Sequence, residues 1–210
     1  MKLIPLLLVI GFALSLCNLS NRFKSGKSKA PGSGTTASAE GGGTEAVPAE
    51  PTAAQTAALA GGQEVKWNQQ GMTFTLPPKW TESSNESKEL VWRSPGGSDA
   101  ASLIVSISPM DESFPTDASI NAYYDGAKTR AKNGEVDELK WVEIDGVNGV
   151  QFRESNPEKP DGFRRLQWLA YRKFAGQVQF VNVMLATDGK NFPRHQDAVY
   201  GILYSMKLVH

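Results

Sequence analysis

The chain has 210 residues, in which 22 Lys and Arg balance 22 Asp and Glu to a formal net charge of zero. That balance lacks the basic footprint of a nucleic-acid binder, so no nucleic-acid partner is expected. A single cysteine excludes an intrachain disulfide, and two histidines leave little material for histidine-based catalysis or a metal centre.

The amino terminus is Met1-Lys2 followed by a run from Leu3 to Leu16. One positive charge ahead of about 14 mostly apolar residues is the pattern of an export leader, and the run is too short to span a bilayer comfortably. Cys17 stands where the run ends, and Leu14-Ser15-Leu16-Cys17 resembles the lipobox of bacterial lipoproteins, with Leu16 in a place usually held by a small residue. The resemblance implies a signal peptide over 1–16, acylation (palmitate) of Cys17, and a membrane partner reached through that lipid. The same residues also read as an ordinary secretory leader with a stray cysteine, or as a short anchor. Asn18 follows the cysteine. In enterobacterial lipoproteins an Asp there favours the inner membrane, so a periplasm-facing envelope location with a lean towards the outer membrane is expected.

Residues 17–64 are predicted to form the lipidated cysteine and a disordered tether. A basic cluster (Arg22, Lys24, Lys27, Lys29) leads into low-complexity Gly, Ala, Ser, Thr, Pro and Glu. Such a segment buries too little apolar surface to offset its ordering entropy. As a flexible coil it would reach roughly 35–40 Å. The cluster either binds acidic headgroups, at about 1 kcal/mol per charge, or simply solubilises the root of the tether.

All five Trp and all five Tyr lie after residue 65, which predicts one domain over 65–210. Met72, Phe74 and Leu76 alternate with threonines in a half-buried strand that stops at Pro77-Pro78. Leu90-Val91-Trp92 is a second strand, and Leu103, Val105 and Ile107 mark a third. The period then changes. Ile120, Tyr124, Ala127 and Ala131 form a helical stripe with Thr116 or Asp117 as cap and Asn133-Gly134 as stop. Strands follow at Trp141–Ile144 and Val150–Phe152 around an Asp145-Gly146 turn, then at 163–173 and 177–187 around Ala175-Gly176. Phe192, Val199, Leu203 and Met206 mark a last helix, with a short strand after it. Three strands, a helix, four strands and a helix give an α+β fold, a mainly antiparallel sheet covered by two helices. Apolar residues on both faces of 177–187 predict a central strand buried on both sides.

Three motifs carry a resemblance. They are Phe74-Thr75-Leu76-Pro77-Pro78-Lys79-Trp80, the turn Ile144-Asp145-Gly146-Val147-Asn148-Gly149, and a closing helix with Phe192, Val199 and Ile202-Leu203-Tyr204-Ser205-Met206-Lys207. In order and spacing they resemble the PsbP/DcrB/LpqN-like group over nearly all of 70–208. The resemblance implies an α-β-α sandwich and a binding or assembly role more than an enzymatic one. It transfers no active-site residue, and it places Phe74, Leu76 and Trp80 in the core.

No catalytic constellation emerges. Cys17 lies outside the domain, His195 falls on or beside the apolar stripe of the last helix, and His210 ends the chain. The Asp-Gly pairs at 125–126, 145–146, 161–162 and 188–189 read as turns and fit no EF-hand. No metal or cofactor is expected. The candidate binding surface is basic and aromatic: Trp141, Arg153, Arg164, Arg165, Arg172 and Lys173. Arg164 and Arg172 face one side of their strand, Arg165 and Lys173 the other. Arg and Trp are common anchors in interfaces, although charges at strand ends also discourage edge pairing. The expectation is a non-catalytic, membrane-tethered module that binds an envelope protein. A carrier of small hydrophobic ligands is the alternative, and an envelope hydrolase comes third.

Overall fold

A computed structural model describes residues 46–159 and 162–209. The expected leader, the lipobox with Cys17, the tether up to residue 45, Pro160-Asp161 and His210 lie outside the described residues.

The first ordered elements fall where the tether was expected. They are β1 (Val47–Pro48), α1 (Ala53–Ala58) and β2 (Gln63–Trp67). Composition misses them because α1, with the sequence AAQTAA, has no large apolar residue of its own. A capping box starts it: the Gln55 amide N–H donates to the Thr52 hydroxyl at 3.2 Å, and the Thr52 N–H donates to Gln55 Oε1 at 2.9 Å. A Cβ on Gly201 would come within 2.7 Å of the Gln55 carbonyl, so a glycine in the last helix is what lets α1 lie against it. The ordered domain therefore begins by residue 46, about twenty residues before the boundary read from composition.

The rest runs β3 (Met72–Leu76), β4 (Thr81–Glu86), β5 (Glu89–Arg93), β6 (Ser102–Met110), α2 (Thr116–Lys132), β7 (Val136–Ile144), β8 (Val147–Glu154), β9 (Phe163–Phe174), β10 (Gln177–Asp188), α3 (Phe192–Tyr204) and β11 (Lys207–Leu208). Five strands of this series, β2 to β6, precede α2, where periodicity predicted three. The extra ones are β2 and β4. The latter reads Thr-Glu-Ser-Ser-Asn-Glu and is almost wholly exposed. A polar outermost strand is one way a sheet avoids pairing with another chain.

Eight strands form the main sheet in the order β1-β7-β8-β9-β10-β6-β5-β4. Only β1 on β7 is parallel. A small sheet, β11-β3-β2, is antiparallel throughout. Asp145-Gly146 and Ala175-Gly176 both take positive φ, the two-residue turn that fits the twist of a hairpin.

The principal core lies between one face of the main sheet, α3 and the small sheet. Phe74, Leu76, Trp80, Trp168, Val183, Leu185, Phe192 and Leu203 meet there. A smaller core forms on the opposite face under α2, where Ile120, Tyr124 and Ala127 sit on Val150, Phe152 and Leu169. The central strand β10 is thus buried unequally. Val181, Val183 and Leu185 are fully buried, whereas Phe180, Asn182 and Met184 on the α2 side are half-buried. The α2 core includes side chains of β7, β8 and β9 but of β10 only Phe180. Among the described residues no helix is long and apolar enough to cross a membrane.

Candidate functional site

Strands β7, β8 and β9 carry the functional candidates, and their two faces are built differently. On the α3 side the basic residues are consumed internally. Arg164 is only 6% exposed. It donates through Nε to the Glu154 carbonyl at 2.8 Å, pairs with the Asp137 carboxylate, and lies 4.6 Å over the Phe192 ring. Arg153 donates through Nε to Asp137 Oδ1 at 2.7 Å and through Nη1 to the Tyr200 hydroxyl at 3.2 Å. That hydroxyl donates to Glu138 Oε2 at 2.7 Å, while Gln151 Nε2 donates to Glu138 Oε1 at 2.6 Å and Tyr204 donates to Gln151 Oε1 at 3.0 Å. The chain of bonds fastens α3 to β7 and β8. Burial and the neighbouring Glu138 carboxylate push the Tyr200 hydroxyl well above its ordinary value. For Arg153, burial works against the charge, but the Asp137 and Glu138 carboxylates outweigh it and the guanidinium is held above its usual value.

Arg165 projects to the α2 side and donates to Glu154 Oε2 at 2.7 Å, and Arg130 of α2 holds the other oxygen at 2.9 Å. Glu154 thus takes two arginines and ties α2 to the sheet. Within the expected basic surface Arg164 is buried and Arg153 half-buried, both paired with Asp137, whereas Arg165, paired with Glu154, and Lys173 are exposed. The physical reason is that the matching carboxylates come from strand positions that sequence distance conceals. A register shift in β7 between Val136 and Glu138 sets Asp137 beside both Arg153 and Arg164.

Arg172 is also buried, at 5% exposure, and at the far end of β9 from Arg164. Its guanidinium donates to Gln179 Oε1 at 3.1 Å and to the Gln70 carbonyl, and stacks over Phe174. Its Nη1 has no partner among the described residues, and no carboxylate faces it. Burial lowers its pKa to about 10. The Asp99 loop clips the start of α3, with His195 Nε2 at 2.8 Å from the Asp99 carbonyl and Arg194 paired to its carboxylate. Among the described residues no Ser or Thr hydroxyl hydrogen-bonds His195, and no three His, Cys, Asp or Glu side chains converge as a metal site.

The opposite face of the same strands, beside the amino-terminal half of α2, holds an open groove of about 950 Å³. Trp141, Ile120 and Tyr171 supply its apolar wall. Trp141 is half-buried and stacks on Tyr124 with ring centroids 5.3 Å apart. Tyr171 is fixed by a 2.8 Å hydrogen bond between its hydroxyl and that of Ser119. Asp117 stands on the first turn of α2, Glu143 on β7, Asn148 on β8 and Lys173 on β9. Among the described residues the side chains of these four have no ion pair or hydrogen bond. Of the six residues chosen from sequence, Trp141, Arg172 and Lys173 line this groove, the guanidinium of Arg172 being turned to the other side. Sequence reasoning missed Asp117, Glu143 and Asn148. Isolated exposed polar residues carry no signal until a helix end and a hairpin bring them together.

No family model matches the chain, and no curated protein matches it. Among solved structures, LpqN of Mycobacterium tuberculosis, involved in cell envelope biogenesis, aligns with a TM-score of 0.53 and 12% identity, over 71% of this chain and 91% of that one. Cyanobacterial PsbP (CyanoP) from Synechocystis sp. PCC 6803 aligns at 0.45 and 14% identity, over 70% and 92%. The Ran-binding protein Mog1p of Saccharomyces cerevisiae aligns at 0.40 and 12% identity, over 70% and 95%. At such identity the likeness concerns the fold alone. This chain has the fold of LpqN, one of the group its three motifs resemble: α+β, with a mainly antiparallel sheet.

Proposed function

We propose that this protein is a lipid-tethered, non-catalytic module of the bacterial cell envelope that takes a partner protein in the groove between α2 and β7–β9. The carrying observation is the contrast in charge satisfaction. Arg153 and Arg164 with Asp137, and Arg165 and Arg130 with Glu154, are locked in networks that span strands and helices, while among the described residues the side chains of Asp117, Glu143 and Lys173 line the groove with no ion pair or hydrogen bond. Unspent polar groups beside an aromatic wall are the composition of a recognition site. The groove is open and half polar, which favours a protein segment over a hydrophobic cargo. The leader and Cys17 supply the tether, and LpqN, which shares the fold, is described as involved in cell envelope biogenesis.

The test is a photo-crosslinking amino acid at Asn148, exposed on β8, in full-length protein in living cells, with Glu86 on β4 as the control position. One envelope protein captured from position 148 and not from position 86 is the expected result. Equal capture from both positions, or none from 148, would overturn the reading. Cys17→Ala should release the protein to the soluble fraction, and retention in the membrane would remove the lipid from the account.

A further inference from the structure

The same groove specifies the chemistry of what enters it, and this inference rests on the reading just given. Charge is distributed along it unevenly. Glu143 lies on β7 two residues from Trp141, Lys173 stands two strands away on β9 beyond Tyr171, Asp117 lines the groove from the first turn of α2, and Ala46 is at its rim. Two free carboxylates beside an indole ring suit a cation, which gains from the charges and from the negative face of the ring. Lys173 on β9, which has no ion pair among the described residues, suits a carboxylate. The groove crosses the ends of three adjacent strands, so an occupant that reaches both ends is elongated. An adjacent hollow shares Thr116, Tyr171, Arg172 and Lys173 with the groove and is also lined by Glu112, Phe114 and Val178.

We infer that the partner enters the groove as an extended peptide segment that lays a lysine or arginine against Trp141 between Asp117 and Glu143 and sets an acidic side chain against Lys173. Charge complementarity of this kind fixes the direction of the segment and selects among sequences more than it adds raw affinity. A glycan could also stack on an indole, but it has no use for separated charges of opposite sign.

The test uses the full-length protein in detergent micelles and fluorescein-labelled octapeptides of Gly and Ser carrying one Lys and one Glu. The control peptides replace the Lys by norleucine or exchange the two charged residues. Anisotropy should show the Lys-Glu peptide bound about ten-fold more tightly than the norleucine peptide, with the difference shrinking in high salt. Asp117→Asn with Glu143→Gln should abolish the preference, and Asp117→Lys with Glu143→Lys should reverse it towards a peptide bearing Glu in place of Lys. Asp117 is exposed, Glu143 is half-buried and neither belongs to the core, and an unchanged melting temperature confirms that each variant is folded. Equal binding of the lysine and norleucine peptides overturns the inference, as does binding of chitotetraose with no peptide bound. If crosslinking from Asn148 captures one envelope protein while the peptides show no charge preference, the binding module stands and only its charge code falls.

Discussion

The arginine clusters of β7–β9 and the groove beside α2 carry similar residue types and use them in opposite ways. Facing α3, Arg153 and Arg164 share Asp137, and Glu138 takes the Tyr200 hydroxyl, so charge is matched inside the molecule. Lining the groove, Asp117 and Lys173 are exposed and Glu143 is half-buried, and among the described residues none of the three side chains has an ion pair or hydrogen bond. A charged residue in a strand is therefore informative about binding only once its partner is known. The more conspicuous arginines are paired inside the molecule, and the less conspicuous acids and lysine line the groove.

The comparison can be broken in both directions. The largest effect is expected from Arg164→Met, which leaves the Glu154 carbonyl without its donor and Asp137 with one arginine in place of two. A loss of about 2–3 kcal/mol in urea unfolding is predicted, without change in groove binding by the folded fraction. Gly201→Val should cost about 1–3 kcal/mol, because its side chain meets the Gln55 carbonyl and α1 must move off α3. Limited proteolysis should then cut near residues 53–60 first, and unaltered protection there would remove α1 from the domain. Tyr200→Phe removes the bridge between Arg153 and Glu138 and should cost about 1–2 kcal/mol at neutral pH.

Tyr200 also makes a pH prediction. Its folded pKa is raised above 10.0, so the unfolded chain releases the proton first. The stabilisation is complete below about pH 10 and is lost as pH rises further. The variant should show a shallower alkaline loss than wild type in urea midpoints between about pH 9 and pH 11. Equal slopes would mean that Tyr200 ionises as an exposed tyrosine does. The smallest stability effect, within about 0.5 kcal/mol, belongs to Asp117→Asn with Glu143→Gln, where binding alone should change.

Much of this architecture is legible in the sequence. Alternating apolar residues announce β3, β6 and β10, the positive-φ turns are written as Asp145-Gly146 and Ala175-Gly176, and Phe74, Leu76 and Trp80 are in the core as their motif implies. Elements without an apolar pattern are illegible. The polar strand β4 is held by its backbone pairing with β5, and α1 is held by the fit of Gly201. Trp141 is legible as a candidate because tryptophan is a common interface anchor, and Lys173 only because it stands beside Arg172 in a basic hairpin. The pairing of Arg164 with Asp137 spans 27 positions and depends on an irregularity in β7, so only the folded chain reveals it.

The most direct measurement is the yield of partner crosslinked from position 148 in cells expressing Asp117→Lys with Glu143→Lys, alongside Arg164→Met at matched amounts of folded protein. If the groove is the recognition site, the charge reversal abolishes the crosslink at unchanged melting temperature, and the cluster variant retains it. A crosslink that survives the charge reversal, or that is lost only in the cluster variant, would place recognition elsewhere on the domain.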